Sequence, residues 1–169
     1  MTHGIRICLL TVLILLAMLV SPLRAGDTAG SASVLSWNVE GEFDAVYRSL
    51  YTALENNRFF VVFEPDIQGQ LARFAERWGE DLNRNALDGI RSIVVCNAWY
   101  ANQVSNADPD LLALCPLRVN LVEKDGITRV LFARPTVIAA GSPGIAVIEE
   151  IEQVIATALR AGVAAAEAR

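Results

Sequence analysis

The sequence predicts an α+β fold, a two-layer sandwich in which helices are packed on one face of a mostly antiparallel sheet of about five strands. Short runs rich in β-branched and aromatic residues alternate with stretches that have helical periodicity. Asp125 and Gly126 separate two apolar runs, which is the strongest short-range signal of a β-hairpin. Hairpin-type connections combined with amphipathic helices are typical of this layered class.

The first half of the chain is predicted to contain two strands and two helices. Residues 34–40 alternate apolar and polar side chains, as a half-buried strand does. Residues 43–57 place their apolar side chains on one helical face. Residues 58–64 form a near-continuous apolar run, which predicts a strand buried on both faces. The spacing then predicts a helix over 67–80, with Asp66 as its N-cap and its core face formed by Ile67, Leu71, Phe74, Ala75 and Trp78.

The second half is predicted to contain three strands and three helical segments. In order, these are a strand over 90–95, a short helix over 97–105, a helical turn over 108–114, a hairpin of strands 117–123 and 127–133, and a long C-terminal helix. Ser142 and Pro143 are expected to start that last helix, as N-cap and first-turn residue. Gly162 is expected to end it.

The N-terminal residues predict an export signal. Arg6 precedes an apolar run from Ile7 to Val20, shorter than the about 20 residues of a membrane-spanning helix, and the small residue Ala25 provides a cleavage site. Cleavage near Ala32 and an uncleaved membrane anchor are the alternatives. We expect a signal peptide over 1–25, a flexible leader over 26–33, a single domain over 34–163 and a C-terminal tail over 164–169. The expected location is therefore periplasmic or secreted, with no stable membrane span after cleavage.

Composition excludes several classes of function. Residues 26–169 contain no histidine, the side chain that most often acts as a general base or metal ligand near neutral pH. Loss of Arg6 and Arg24 with the signal leaves 12 basic against 19 acidic residues, a net charge of −7. Such a chain lacks the basic surface that nucleic-acid binding requires. We therefore expect no nucleic-acid partner, no cofactor and no metal, and an unknown small ligand or protein as the partner.

Four short motifs indicate a family. They are Ile93–Asn97, Asp108-Pro109, Leu114–Arg118 and the strand ending in Ala133-Arg134-Pro135. Together they resemble the family called domain of unknown function 302. In this family a strand ends in a small or cysteine-plus-asparagine turn, a Leu-Pro-Leu-basic sequence enters the next strand, and a later strand ends in proline. Phe43, Ala45, Leu50, Leu54 and Phe59 resemble the family's first helix and second strand.

The resemblance covers roughly residues 38–163 and implies a small α+β fold that is often dimeric. It implies no established activity. Cys115 stands where the family usually has leucine, as in a cysteine-containing exported subgroup, and Phe132 stands where many members have tyrosine. The resemblance therefore predicts structure and a homodimer more than it predicts function.

Cys96 and Cys115 are the only cysteines in residues 26–169. Two thiols in an oxidising compartment usually form a disulfide, and this one would close a loop of about twenty residues, worth roughly 3 kcal/mol. The bond requires Cα atoms within about 7 Å, so we predict that the strand ending at Cys96 and the strand after Cys115 are antiparallel. A redox-active or sulfur-carrying thiol is the alternative, assisted by Arg91 or Arg118. Two thiolates fall short of the four ligands of a structural zinc site.

Asn97, Trp99, Tyr100 and Arg118 are the candidate pocket residues, because they flank the two cysteines in the sequence. Alternatively, one of the two aromatic rings packs in the core and the other lies on the surface. Two functional hypotheses follow. The favoured one is a non-catalytic binding or accessory domain, stabilised by a Cys96–Cys115 disulfide and with no catalytic residue. The other is a thiol-dependent redox enzyme or sulfur carrier.

Overall fold

The computed structural model describes residues 32–168, and five antiparallel strands form its single sheet. The strands are β1 (Val34–Glu40), β2 (Phe60–Phe63), β3 (Gly89–Cys96), β4 (Leu117–Lys124) and β5 (Ile127–Ala133). Their order across the sheet is β1-β5-β4-β3-β2, and every pairing is antiparallel. The predicted α+β class is confirmed. The predicted signal peptide and most of the leader lie outside the described residues.

Six α-helices accompany the sheet within residues 32–168. They are α1 (Phe43–Asn56), α2 (Ile67–Ala72), α3 (Ala75–Trp78), α4 (Ala98–Ala107), α5 (Pro135–Ile138) and α6 (Ile145–Glu167). Two 3₁₀ segments, Gly79–Asp81 and Pro109–Leu114, lie between them in the chain. Between residues 32 and 168, none of these helices combines the length and hydropathy needed to cross a bilayer.

The core lies between one face of the sheet and the two long helices, α1 and α6. Alternate side chains of the strands, among them Val39, Ile93 and Val130, are fully buried against Leu50 of α1 and Ile155 of α6. Apolar and polar residues alternate along the strands, and successive side chains point to opposite sides of a sheet, so the apolar side chains collect on one face. The helical layer therefore covers one face, as the hydrophobic pattern predicts.

Gly162 does not end the C-terminal helix, which continues to Glu167. It lies where α6 packs closely against α1, since a Cβ atom here would lie 3.0 Å from Leu50 Cδ2 and 3.1 Å from Leu50 Cα. The prediction for Gly162 was wrong because a glycine can serve close helix packing instead of termination. Residues 164–167, expected in the tail, belong to this helix.

Ser142 does not cap the C-terminal helix directly. The helix begins at Ile145, with Gly144 at the N-cap position. The Ser142 hydroxyl accepts a hydrogen bond from the Gly144 N–H at 3.0 Å and donates one to Asp108. A Cβ at Gly144 would lie 2.8 Å from Leu111 Cδ1, so a larger residue here would displace the end of the Leu111 side chain. Ser142 therefore joins the entry of α6 to the chain segment before the 3₁₀ turn at Pro109–Leu114.

The predicted helix over 67–80 is broken into α2, α3 and a 3₁₀ turn, and neither α-helix buries a residue completely. Asp66 caps α2 as predicted, since its Oδ1 accepts a hydrogen bond from the Gly69 N–H at 2.9 Å. Phe74 and Trp78, predicted to face the core, are exposed and stack on each other with ring centroids 4.7 Å apart. Residues 67–80 thus have a helical hydrophobic pattern without a core to pack against.

β2 is an edge strand, and it is not buried on both faces as its composition predicts. Phe60, Val62 and Phe63 are all exposed, and the pairing with β3 shifts register between Val61 and Phe63. The Val61 N–H donates to Glu55 Oε1 at 2.8 Å. That bond satisfies a backbone donor that a further strand would otherwise engage.

Candidate functional site

The antiparallel pairing of β3 with β4 brings the two cysteines together. Val95 is the register partner of Leu117, so Cys96 and Cys115 both lie at the same end of this strand pair. They line one small cavity of about 20 Å³ together with Phe59 and Ile151. The predicted antiparallel arrangement is confirmed. Both cysteines are free thiols in the structure, and the predicted disulfide is not seen.

The environment of Cys115 makes its thiol a weak nucleophile. Burial raises the pKa of the Cys115 thiol, and the neighbouring Cys96 raises this pKa further. The thiolate is the reactive form, so a raised pKa lowers reactivity at neutral pH. Arg91, one of the two predicted helpers, instead pairs with Asp44 at 2.8 Å and lies over the Tyr47 ring.

A larger cavity of about 360 Å³ opens beside the thiol pair, where the end of α1, strand β2 and the start of α4 meet. We name it the aromatic cavity. Its lining residues are Asn57, Arg58, Phe60, Asn97, Ala98, Trp99, Tyr100 and Val154. The structure thus brings Asn97, Trp99 and Tyr100, three of the four candidate pocket residues, to one concavity. Trp99 is 66% exposed and Phe60 is 54% exposed, so both rings are accessible.

Local sequence chemistry fixes the first turn of α4 at this cavity. Asn97 is the N-cap, and its Oδ1 accepts a hydrogen bond from the Tyr100 N–H at 3.1 Å. The Tyr100 ring stacks on buried Phe59 at 5.7 Å between centroids, and its hydroxyl donates to Glu150 Oε1 at 2.7 Å. The hydrogen bond to Glu150, together with burial, raises the pKa of Tyr100. Tyr100 is therefore a neutral side chain held in place by two contacts, and the exposed Trp99 lies next to it in the cavity lining.

The wall opposite α4 includes Arg58, whose backbone lies in the left-handed region at φ 63°. Arg58 follows the end of α1: its N–H bonds to the Glu55 carbonyl at 2.9 Å, and the next N–H bonds to the Leu54 carbonyl at 3.0 Å. Glycine is usual at such helix ends, and an L-residue there costs about 1–2 kcal/mol. Sequence reasoning missed Asn57, Arg58 and Phe60. The sequence signal that could have identified this region is the absence of a glycine after the predicted helix over 43–57.

Arg118 does not reach the aromatic cavity. It lies at the rim of a second cavity of about 230 Å³, together with Pro116, Pro135 and Ile138. Val94 is its register partner across the sheet, whereas neighbouring Val119 points into the core. The structure therefore separates Arg118 from the other three candidate pocket residues.

Glu152, on α6, is a buried carboxylate. Its oxygens accept hydrogen bonds from Arg134 Nε at 2.8 Å and from both the N–H and the hydroxyl of Thr136. Burial alone would raise its pKa, but the bonds from Thr136 and Arg134 outweigh it and hold the pKa below its usual value. These bonds join α5 to α6. Within residues 32–168, no three acidic, cysteine or histidine side chains are grouped as metal ligands.

Comparisons with known proteins identify the family of this chain and a solved structure with a similar fold. The sequence profile of domain of unknown function DUF302 matches residues 35–162. The chain therefore belongs to the DUF302 family.

The crystal structure of an uncharacterised conserved DUF302 protein from Bacillus stearothermophilus is similar to this one, with a TM-score of 0.67. The two share 17% sequence identity over 78% of this chain and 98% of that chain, a likeness that shows the fold alone. No curated protein is significantly similar in sequence. The assignment to a cysteine-containing exported subgroup stays a prediction.

Proposed function

We propose that the chain is an exported, non-catalytic binding domain whose small ligand occupies the aromatic cavity. The observation that carries the proposal is the cavity itself, a concavity of about 360 Å³ with accessible Phe60 and Trp99 rings. Small-molecule sites are concavities of roughly 300–1,000 Å³ with mostly apolar walls and a few polar groups. Asn57 and Asn97 supply polar groups at two sides of this one.

The chemistry of the thiols favours binding over catalysis. A thiol-dependent enzyme or sulfur carrier needs a stabilised thiolate, whereas burial and Cys96 raise the pKa of Cys115. Residues 26–169 also lack the histidine that commonly activates a nucleophile. A structural role for the pair is therefore the better-supported interpretation.

Export and the disulfide belong to the same proposal. The apolar run from Ile7 to Val20, after Arg6, supports secretion to an oxidising compartment. There, Cys96 and Cys115 would form their bond beneath the aromatic cavity, because Asn97 and Tyr100 line both the thiol cavity and the larger one. Homodimerisation is the remaining part of the proposal. Sedimentation equilibrium would test it, with a doubled mass expected.

Titration with N-phenyl-1-naphthylamine, a neutral aromatic dye whose fluorescence rises in apolar sites, tests the proposal. We expect saturable binding to the wild-type protein and a loss of about tenfold in affinity for Trp99→Ala, since stacking on one ring is worth about 1–1.5 kcal/mol. Trp78→Ala is the matched control, because Trp78 is another exposed tryptophan and is not among the residues that line the cavity. Equal dye affinity of the wild-type and Trp99→Ala proteins would contradict the proposed site.

A further inference from the structure

We propose that Arg58 makes the aromatic cavity selective for a small organic anion, a carboxylate or sulfonate carried on a flat apolar body. This inference rests on the proposed function and specifies its ligand class. The anionic group would meet the guanidinium, and the apolar body would lie against Phe60 and Trp99. The argument uses the charge of the cavity, the freedom of Arg58 and its backbone.

Arg58 is the one charged side chain among the eight residues that line the cavity. The whole chain is acidic, with a net charge of −5, so a positive group at a concavity stands out against its surroundings. A guanidinium presents a planar set of donors that matches a carboxylate or sulfonate with two parallel hydrogen bonds. The charge of the lining thus favours an anion over a neutral or cationic ligand.

The guanidinium of Arg58 has no carboxylate partner among residues 32–168, where the ion-paired arginines are Arg84, Arg91 and Arg134. The carboxylate three residues before Arg58 and the carboxylate that contacts Tyr100 already accept hydrogen bonds. Glu55 accepts the hydrogen bond from the Val61 N–H, and Glu150 accepts the one from the Tyr100 hydroxyl. An incoming anion would therefore pair with Arg58 without breaking an ion pair that the structure shows.

The backbone of Arg58 adds an independent reason. Arg58 follows the C-terminal end of α1, and its φ of 63° is one that glycine adopts without strain. A strained residue that persists beside a concavity motivates a functional hypothesis for its side chain. Because glycine would relieve the strain, replacement of Arg58 by glycine separates binding from folding: stability should rise or stay equal while anion binding falls.

The flanking rings determine the rest of the ligand. Phe60 and Trp99 are accessible on the two walls of the cavity, and aromatic faces stack on flat apolar groups. Tyr100 adds no opposing negative charge, because a tyrosine is neutral at physiological pH and the hydrogen bond to Glu150 raises its pKa further. A flat, apolar anion therefore satisfies both parts of the lining.

Two dyes that differ by one charged group test the inference. 8-Anilinonaphthalene-1-sulfonate carries a sulfonate on the ring system that N-phenyl-1-naphthylamine presents without charge. We expect Arg58→Gly to lower the ratio of sulfonate affinity to neutral-dye affinity about tenfold or more, as loss of a charge-assisted bond does. Arg58→Lys should recover part of the sulfonate affinity. Added salt should weaken sulfonate binding to the wild-type protein and not to Arg58→Gly.

Arg118→Ala is the matched control, since it removes an exposed arginine from the second cavity and should leave the affinity for both dyes unchanged. Thermal unfolding of Arg58→Gly at or above the wild-type midpoint would show that lost binding is not lost folding. Equal sulfonate affinity of the wild-type and Arg58→Gly proteins would overturn the inference while the binding function stands. If neither dye binds the wild-type protein, the proposed function fails, and the inference fails with it.

Discussion

Glu152 shows how one buried charge stabilises this fold. Arg134 and Thr136 hold the pKa of its carboxyl below the usual value of 4.5. The ionised carboxylate is therefore more stable in the folded protein than in the unfolded chain. The contribution to stability is therefore complete above the unfolded-state pKa and is lost as the pH falls through the lowered folded-state pKa.

We predict that Glu152→Gln lowers the free energy of unfolding by about 1–3 kcal/mol at pH 7, because buried charge-assisted bonds are lost. The difference from wild type should shrink as the pH falls through the lowered folded-state pKa of Glu152, because the wild-type carboxylate then becomes protonated. Urea unfolding between pH 7 and pH 3 measures it. Glu149→Gln, at an exposed position of the same helix, should be neutral. A difference that does not change with pH would show that ionisation of Glu152 is not what stabilises the fold.

The candidate site was predictable where its residues follow one another in the sequence. Asn97, Trp99 and Tyr100 come directly after a strand that ends in Cys96, so a short motif was enough to group them. Arg58 and Phe60 join them only because β2 pairs with β3, with Phe60 opposite Cys96. Such a contact depends on sheet order, which hydrophobic periodicity does not encode.

At the scale of elements, all five strands could be predicted to within a few residues because alternation and turn chemistry are local. The helix over 67–80 failed for a different reason. Periodicity tells which side chains share a face, and it does not tell whether another layer covers that face. Phe74 and Trp78 share a face and remain exposed. The same limit explains β2, whose apolar composition suggested a central strand and which lies at the edge.

The position of the two cysteines at the same end of the β3–β4 pair leads to a prediction about their oxidation. In the protein without its predicted signal peptide, which contains Cys8, we expect mild oxidation to join Cys96 and Cys115, so that alkylation labels two thiols before treatment and none after it. The bond closes a loop of about twenty residues and should raise the free energy of unfolding by roughly 3 kcal/mol. Intact mass after alkylation, with urea unfolding of both forms, measures this.

Cys96→Ser is the control for the oxidation experiment, because it leaves Cys115 without an intramolecular partner. Its single thiol should stay reactive to alkylation after the same treatment and gain no stability. Two labelled thiols in the oxidised wild-type protein would show that the antiparallel strand ends do not bring the sulfurs within bonding reach.

At the scale of the whole molecule, the sheet joins the two ends of the domain. β1, the first strand, has a single neighbour in the sheet, β5, the last strand, with Val34 opposite Ala133 and Glu40 opposite Ile127. The covering helix α6 follows β5 in the chain. Neither β1 nor the main core can therefore be completed before almost the entire domain is available.

This strand order has a consequence for when the protein acquires its structure. Pairing between distant segments delays folding, because the loop must close before the contacts form. A chain emerging from the ribosome would thus lack its complete sheet and core until β5 and α6 appear. We expect a fragment of residues 32–124, which lacks β5 and α6, to show no cooperative thermal transition by circular dichroism, whereas residues 32–168 show one. A fragment that melts cooperatively would mean that the domain can form while its last third is still being made.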